Sequence, residues 1–375
     1  MERRDIILAH TNHRAHEYHL NLIKTLSGEY SIGVLPVGRE NKRLDATARL
    51  FLDLCVESGA EILPRDAEHA CRLLFATQYD YDDGVFDGLD YGELVVLPRF
   101  SSGKLGLEKL KKHGAKEIWV YDKSLFIEVL KGEGREDLLG GLEVVEMGSP
   151  YKKHPAFDFS ELGIDYLIAY PTPMLIRDTR ARLALLENIR SAVEAIPDGK
   201  TVFAKLHNVK DDGYGMGSGK IRKAEPGTRK ALDALLAILA PLNPIAAALF
   251  PWDIRDIRAR IRDADIMDAA IPLSERTPFH NLGIEHFLPF VREGVITGIS
   301  ACEWHALHDG VPVFNRDPRP LTPETPNYHA YKLFHVPFRE GLVFDSADFA
   351  RIPDSALKAD MIELARQKLE KRSNQ

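Results

Sequence analysis

Several short stretches carry residue types at spacings that could do chemistry. TVFAKLHN (201–208) ends in Lys205 and His207, two apart at what reads as a strand terminus. Both side chains then leave the same face and point past the end of the sheet. An ammonium there supplies a point charge for a phosphate, and an imidazole can donate a hydrogen bond or a proton to one. The second stretch, GVITGISACEWHALHDGVPVFN, runs from Gly294 to Asn315. Val295, Ile296 and Ile299 read as a buried strand. Ser300 then stands at a helix N-cap position with Glu303 three residues on, the spacing of a capping box. Gly310 stops the helix, and Val311, Val313 and Phe314 resume a strand. A helix N-terminus at the carboxyl end of a strand offers free N–H groups and a partial positive charge, which suits a nucleotide diphosphate. Glu303 has two readings here, pure capping or contact with a ligand.

His10, His13, His16 and His19 follow the first apolar run at three-residue spacing, so they drift around a helix instead of sharing one face. A metal site would want a firmer pattern, such as an i, i+4 pair with a carboxylate, and no metal or other cofactor is expected. Asp122 follows the strand EIWVY directly, where a carboxylate is placed either for chemistry or to cap the next helix. Ser101 to Lys104 likewise follow a strand and open a helix, and could hold an acceptor phosphate. The loop DDGYGMGSGK (211–220) invites a P-loop reading, but its spacing fails. Tyr214 stands where the first glycine belongs, and Ile221 where Ser or Thr would bind magnesium. A mobile loop that closes over a donor is the expectation, with Lys220, Arg222 and Lys223 at its far end.

The elements that must position these residues alternate between strand and helix. The pattern reads as a strand at Ile6 to Leu8, a helix after it with Leu20, Ile23 and Leu26 on one face, and a strand from Ser31 to Val37. A helix from Ala46 to Gly59, an extended Ala60 to Leu63, a helix from Asp66 to Ala76 and a strand from Glu93 to Leu97 follow. Then come a helix from Leu105 to His113 and a strand from Glu117 to Tyr121. Between Gly132 and Leu162 the pattern loosens into glycine-rich connecting sequence. It restarts with a strand at Tyr166 to Tyr170, a long helix from Arg177 to Ile196 and a strand from Thr201 to Leu206. A helix from Lys230 to Leu239 and a short strand region from Ala264 to Ala270 precede the Gly294 stretch. Such alternation predicts an α/β chain with parallel sheets covered on both faces.

Size and charge narrow the possibilities. A chain of 375 residues accommodates two domains of ordinary size. The expected division is 1–164, 165–350, and a final helix (351–375) that could pack back on the first half. A net charge of -7 opposes a general nucleic-acid binder. No apolar run approaches the roughly 20 residues that span a bilayer, and the N-terminal apolar run is too short for a signal peptide. Three scattered cysteines, Cys55, Cys71 and Cys302, make a disulfide framework unexpected, and a cytoplasmic setting fits. The basic run KLKKHGAK (109–116) reads as a solvated helix face, or as a source of weak peripheral attraction to the inner membrane face.

The order of motifs in the second half resembles the CDP-glycerol glycerophosphotransferase and capsule polysaccharide glycosyltransferase superfamily. Those proteins carry a Lys-x-His-Pro element, and later a strand, a Ser-Ser or Ser-Thr turn and a helix leading to Leu-Gly-x-Pro-Val. Here the elements are Lys205-Leu206-His207-Asn208, then Thr297-Gly298-Ile299-Ser300-Ala301 with Glu303, then His308-Asp309-Gly310-Val311-Pro312-Val313. Asn208 replaces the proline, and Ala301 the second hydroxyl residue. The resemblance covers about residues 165 to 320. It implies a GT-B fold, two Rossmann-like domains facing a central crevice, with donor held in the second. His207 and Ser300 would hold donor phosphates, with Lys205, Thr297 and Ala301 beside them, and Glu303 would hold the donor ribose. His10 or His13, at the crevice side of the first domain, would be the base, with Asp122 a further candidate. Asp82-Asp83-Gly84 is similar to an acidic signature of some bacterial sialyltransferases and is equally an acidic turn. The implied activity moves a group from a nucleotide-activated sugar or polyol phosphate to a glycan or lipid-linked acceptor. The alternatives are a non-hydrolysing sugar-nucleotide epimerase and a non-catalytic glycan-binding protein on the same fold.

Overall fold

The computed structural model of the protein describes residues 3–10, 16–36, 46–77, 86, 88–97, 111–148, 151, 154–169, 178–205, 224–243, 253–280, 282–325, 328–351 and 360–373. The chain divides into two compact units, Met1–Asp158 with Asn327–Leu333 and Ala350–Gln375, and Phe159–Pro326 with Phe334–Phe349.

The first unit is built on β1 (Arg3–His10), α1 (His16–Leu26), β2 (Ile32–Pro36), α2 (Ala46–Glu57), β3 (Glu61–Ile62), β4 (His69–Thr77), β5 (Leu89–Leu97), β6 (Glu117–Val120), α3 (Lys123–Gly132) and β7 (Glu143–Glu146). Its seven strands run parallel in the order β3-β2-β1-β4-β5-β6-β7. Ile6, Ile7, Leu8 and Ala9 of β1 are all fully buried, as a strand covered on both faces must be. On one face Ile7, Leu74, Val96, Ile118 and Val144 line up across five strands and pack with Phe126 and Leu130 of α3.

The second unit contains β8 (Tyr166–Ala169), α4 (Thr179–Glu194), β9 (Val202–Lys205), α5 (Pro226–Leu239), α6 (Ile254–Ala269), β10 (Ile271–Pro272), β11 (Gly294–Thr297), α7 (Ala301–His308) and β12 (Val313–Asn315). Its parallel strand order is β10-β9-β8-β11-β12. Tyr166, Ile168, Val202, Ala204, Ile296 and Phe314 form one face, covered by Leu183, Leu186, Ile189 and Val193 of α4 and by Ala259, Ile266 and Met267 of α6. The chain then enters α8 (Tyr328–Phe334) and ends in α9 (Met361–Ser373). Within the first unit, α9 anchors through Lys368, which pairs with Glu93 of β5 and with Glu117 of β6 at 2.7 Å.

Both sheets start at a central strand, step outward through two strands, then cross back to the other side. This 3-2-1-4-5 order is the Rossmann arrangement, and its reversal creates a crevice at the carboxyl ends of β1 and β4, and of β8 and β11. The α/β expectation with two Rossmann-like units is therefore met.

Three local expectations are corrected. The helix read from Asp66 to Ala76 is instead a strand, β4, over His69–Thr77. The run CRLLFA is buried on both faces, and a continuous apolar run does not distinguish strand from helix by period. Ala264 to Ala269, read as strand, closes α6, whose charged and apolar residues alternate at helical spacing back to Ile254. The supposed connecting stretch after Gly132 contains β7, a short edge strand paired with β6 and bearing glutamates at both ends.

Gly294 opens β11 at φ +156, and a Cβ there would lie 2.8 Å from the Pro312 carbonyl oxygen and inside the van der Waals envelope of the Phe314 ring. That carbonyl already accepts from Val295 N at 2.8 Å, so it cannot retreat without opening the strand. Gly294→Ala is expected to cost ~2–3 kcal/mol by overpacking, read as a lowered urea midpoint. An unchanged midpoint would mean that β12 yields freely.

Candidate functional site

Three neighbouring strand ends meet at the reversal point of the second sheet. β9 ends in Lys205, paired in register with Ala169 at the end of β8. On the other side of β8, the Thr297 hydroxyl at the end of β11 donates to the Ala169 carbonyl at 3.2 Å. Adjacent strands lie ~4.8 Å apart, so Lys205 and Thr297 flank Ala169 across roughly 10 Å. Thr297 is fully buried, and its own carbonyl accepts from Arg316 N at 2.7 Å, which ties the ends of β11 and β12 together. Lys205 is buried too, and its Nζ donates to the His280 carbonyl at 3.2 Å.

Beyond Thr297 the chain turns through Gly298 and Ile299 into α7. Gly298 has only 3.2 Å between an added Cβ and Leu185 of α4, so the turn passes close over that helix. Ser300 is the N-cap, with extended φ, ψ of -160 and 153, and its Oγ accepts from Cys302 N at 3.1 Å. The reciprocal half of the capping box is present, Ser300 N donating to Glu303 Oε1 at 3.1 Å. Ala301, the first helical residue, places no side-chain donor at this end.

Glu303 does more than cap. It is fully buried, and it also accepts from Val336 N at 2.7 Å and bonds His335 Nδ1 at 3.1 Å. Burial raises its carboxyl pKa, while His335, Val336 and Ser300 pull the other way. The carboxylate thus joins the α7 N-terminus to the segment at 335–336. Next to it, enclosure of the Cys302 thiol pushes its pKa up to about 11, which leaves no thiolate for nucleophilic work near neutral pH.

A second buried pair was not anticipated. His305 Nε2 of α7 meets Glu285 Oε1 at 2.8 Å, the glutamate coming from a single 3-10 turn, Ile284–His286. Both side chains are buried, and Glu285 and Lys205 both act electrostatically on the Cys302 thiol. Glu303 and His335 thus meet at the α7 N-terminus, and Glu285 meets His305 in the last turn of the helix.

In the first unit, His10 is the last residue of β1, paired in register with Pro36 at the reversal point of that sheet. Asp122 caps α3, its Oδ1 accepting from Leu125 N at 2.9 Å, so the capping role is realised. His13, His207, Asn208, Ser101 to Lys104, Asp82 to Gly84 and the loop 211–220 lie outside the described residues, as does the side chain of His10. Among the described residues no cluster of His, Cys, Asp and Glu could hold a metal ion, and no helix is long and apolar enough to cross a membrane.

No protein-family model matches the chain, and no curated protein matches it. Among solved structures it is similar to apo UGT2 of Phytolacca americana, at 12% identity and a TM-score of 0.39, over 98% of this chain and 94% of that one.

Proposed function

We propose that the chain is a transferase of the GT-B type that takes a nucleotide-activated donor at the carboxyl ends of β8, β9 and β11. The observation that carries this is the arrangement at the reversal point of the second sheet. A strand-end lysine and a capped helix N-terminus flank one position where a diphosphate would sit. The motif resemblance to the CDP-glycerol glycerophosphotransferase and capsule polysaccharide superfamily adds His207, two residues beyond β9, as a second phosphate donor. Residues from 165 onward would form the donor half, those before it the acceptor half, and the final helix would belong with the latter.

In this reading a base, His10 or His13 with Asp122 as the carboxylate alternative, takes the proton of an acceptor hydroxyl. The acceptor oxygen bonds to the anomeric carbon, or to phosphorus for a polyol phosphate donor. The bond to the departing nucleotide phosphate breaks at the same time, its electron pair staying on that phosphate. Lys205, His207 and the N–H groups at the start of α7 stabilise the leaving charge, which supplies the electrostatic part of catalysis. Thr297 and Ala301 shape the turn. Glu303, with its acceptors already engaged, serves by holding the helix end in place instead of touching ribose. Surface glycans or their lipid-linked precursors are the acceptors this proposal names.

Calorimetric titration with CDP, CMP, UDP and GDP derivatives tests the reading. One of them should bind, and Lys205→Ala should weaken it about 10- to 100-fold, the loss of one charge-assisted contact. Binding by none of the four, or equal affinity in Lys205→Ala and His207→Ala, overturns it.

A further inference from the structure

Glu303 and His335 make a carboxylate–imidazole pair at the N-terminus of α7. Glu303 Oε1 lies 3.1 Å from Ser300 N and 3.3 Å from His335 Nδ1, so one oxygen bridges the helix cap and the ring. Oε2 lies 3.1 Å from the same Nδ1 and accepts from Val336 N at 2.7 Å. The segment that carries the histidine is fixed a second time, because the Val336 carbonyl accepts from Asn315 Nδ2 of β12 at 2.8 Å. Glu303, Asn315 and Val336 are buried, whereas 15% of the His335 side chain is exposed. The open side of the pair is therefore the imidazole.

A carboxylate against Nδ1 places a proton on that nitrogen, so Nε2 is the atom that gains or loses one. Nε2 also lies on the side of the ring turned away from the carboxylate. The charge of a buried carboxylate stabilises an imidazolium held against it, the logic of the Ser-His-Asp triad. A helix cap and a backbone tie need no ionisable ring. An imidazole brings to this position what an amide or hydroxyl would not, a second nitrogen that exchanges a proton near neutral pH.

The other charged groups around the ring are already committed. Cys302 is kept a thiol by burial, and Lys205 and Glu285 act on that thiol. Arg316, just past β12, donates to the Gly341 carbonyl at 2.7 Å and lies over the Phe338 ring. Arg339, on the same segment as the histidine, pairs with Asp348.

We propose that His335 is a phosphate-binding residue of the donor site, its imidazolium donating from Nε2 to the nucleotide phosphate at the start of α7. This rests on the donor reading above and adds to it a charge that depends on pH. An imidazolium gives a charge-assisted bond to phosphate, and that bond is lost as the ring is deprotonated. Nucleotide affinity should therefore carry a contribution from His335 that is present at low pH and fades as pH rises.

Asparagine and glutamine divide the ring between them. His335→Asn sets an amide NH2 near the place of Nδ1, which keeps the Glu303 bond and deletes Nε2. Calorimetry with CDP, CMP, UDP and GDP at about pH 6 and about pH 8.5 brackets the imidazole range. For a nucleotide that binds the wild type, His335→Asn should weaken binding about tenfold at the lower pH. At the higher pH, where an imidazole is neutral, the gap should be no more than about twofold, with an unchanged urea midpoint. Should His335→Asn fail to fold, His335→Gln, neutral at every pH, should show the same gap closing as pH rises. Binding of none of the four nucleotides overturns the donor reading and this inference together. A nucleotide bound equally by wild type and variant at the lower pH, or a gap of the same size at both, overturns the inference alone.

Discussion

Glu303→Ala is expected to lower the stability of the second unit by ~2–4 kcal/mol. The carboxylate accepts from Ser300 N, Val336 N and His335 Nδ1, and it is fully buried. Its removal strands the buried Val336 N–H, at ~1–3 kcal/mol, and removes half of the capping box at Ser300, worth ~1 kcal/mol. His335 is partly exposed, so it adds little to the penalty. Glu303→Gln keeps the volume and one acceptor but turns an NH2 group towards an N–H donor, so roughly half of the loss should return. Urea unfolding followed by circular dichroism reads both variants. The same change should fray the α7 N-terminus, so nucleotide affinity should fall in Glu303→Ala even where the fold survives. A loss below ~1 kcal/mol would show that segment 335–336 is held to α7 by other contacts.

The α7 stretch was legible in the sequence because its signals are local. A hydroxyl residue with a glutamate three positions on, and a glycine at the far end, report a helix whatever the rest of the chain does. Lys205 at a strand end was legible for the same reason, since a short apolar run ending in a charge reads directly. Its burial and its bond to the His280 carbonyl were not, because 75 residues separate the partners. Long-range partners also explain the missed half of the site. Nothing near Glu285 points to His305, and nothing near Glu303 points to Val336, 33 residues away. The local cap of Glu303 was visible, while its second attachment was not. In the fold, β4 was misread because a strand buried on both faces has no period to show, and β7 because an edge strand of four residues, half of them glutamate, is too short to show one.

Helix α5 should be the part of the second unit most sensitive to a single charge. Asp233 of α5 accepts from Arg262 at 2.6 Å and from Arg258 at 3.0 Å, and all three side chains are largely buried. Glu187 of α4 approaches the same two guanidiniums, at 3.5 and 3.8 Å, but its side chain is 38% exposed. Asp233→Ala leaves two buried cations to the half-solvated Glu187 and, for Arg262, to Asp265 at 3.8 Å, and an undercompensated buried charge of this kind costs ~3–5 kcal/mol. An exposed pair sets the scale for comparison. Lys131 and Glu128 lie 3.1 Å apart at about half exposure, and Lys131→Ala should leave the urea midpoint unchanged. Salt separates the two cases further. Raising ionic strength screens the exposed pair and should leave the Asp233 penalty almost unchanged, because the buried charges lie outside the ionic atmosphere. Asp233→Asn, which keeps one acceptor and loses the charge, should fall between the wild type and alanine. If the alanine variant unfolds at the wild-type urea concentration, Glu187 and Asp265 balance the two arginines and α5 is held by its apolar contacts with Ile254 and Ile261.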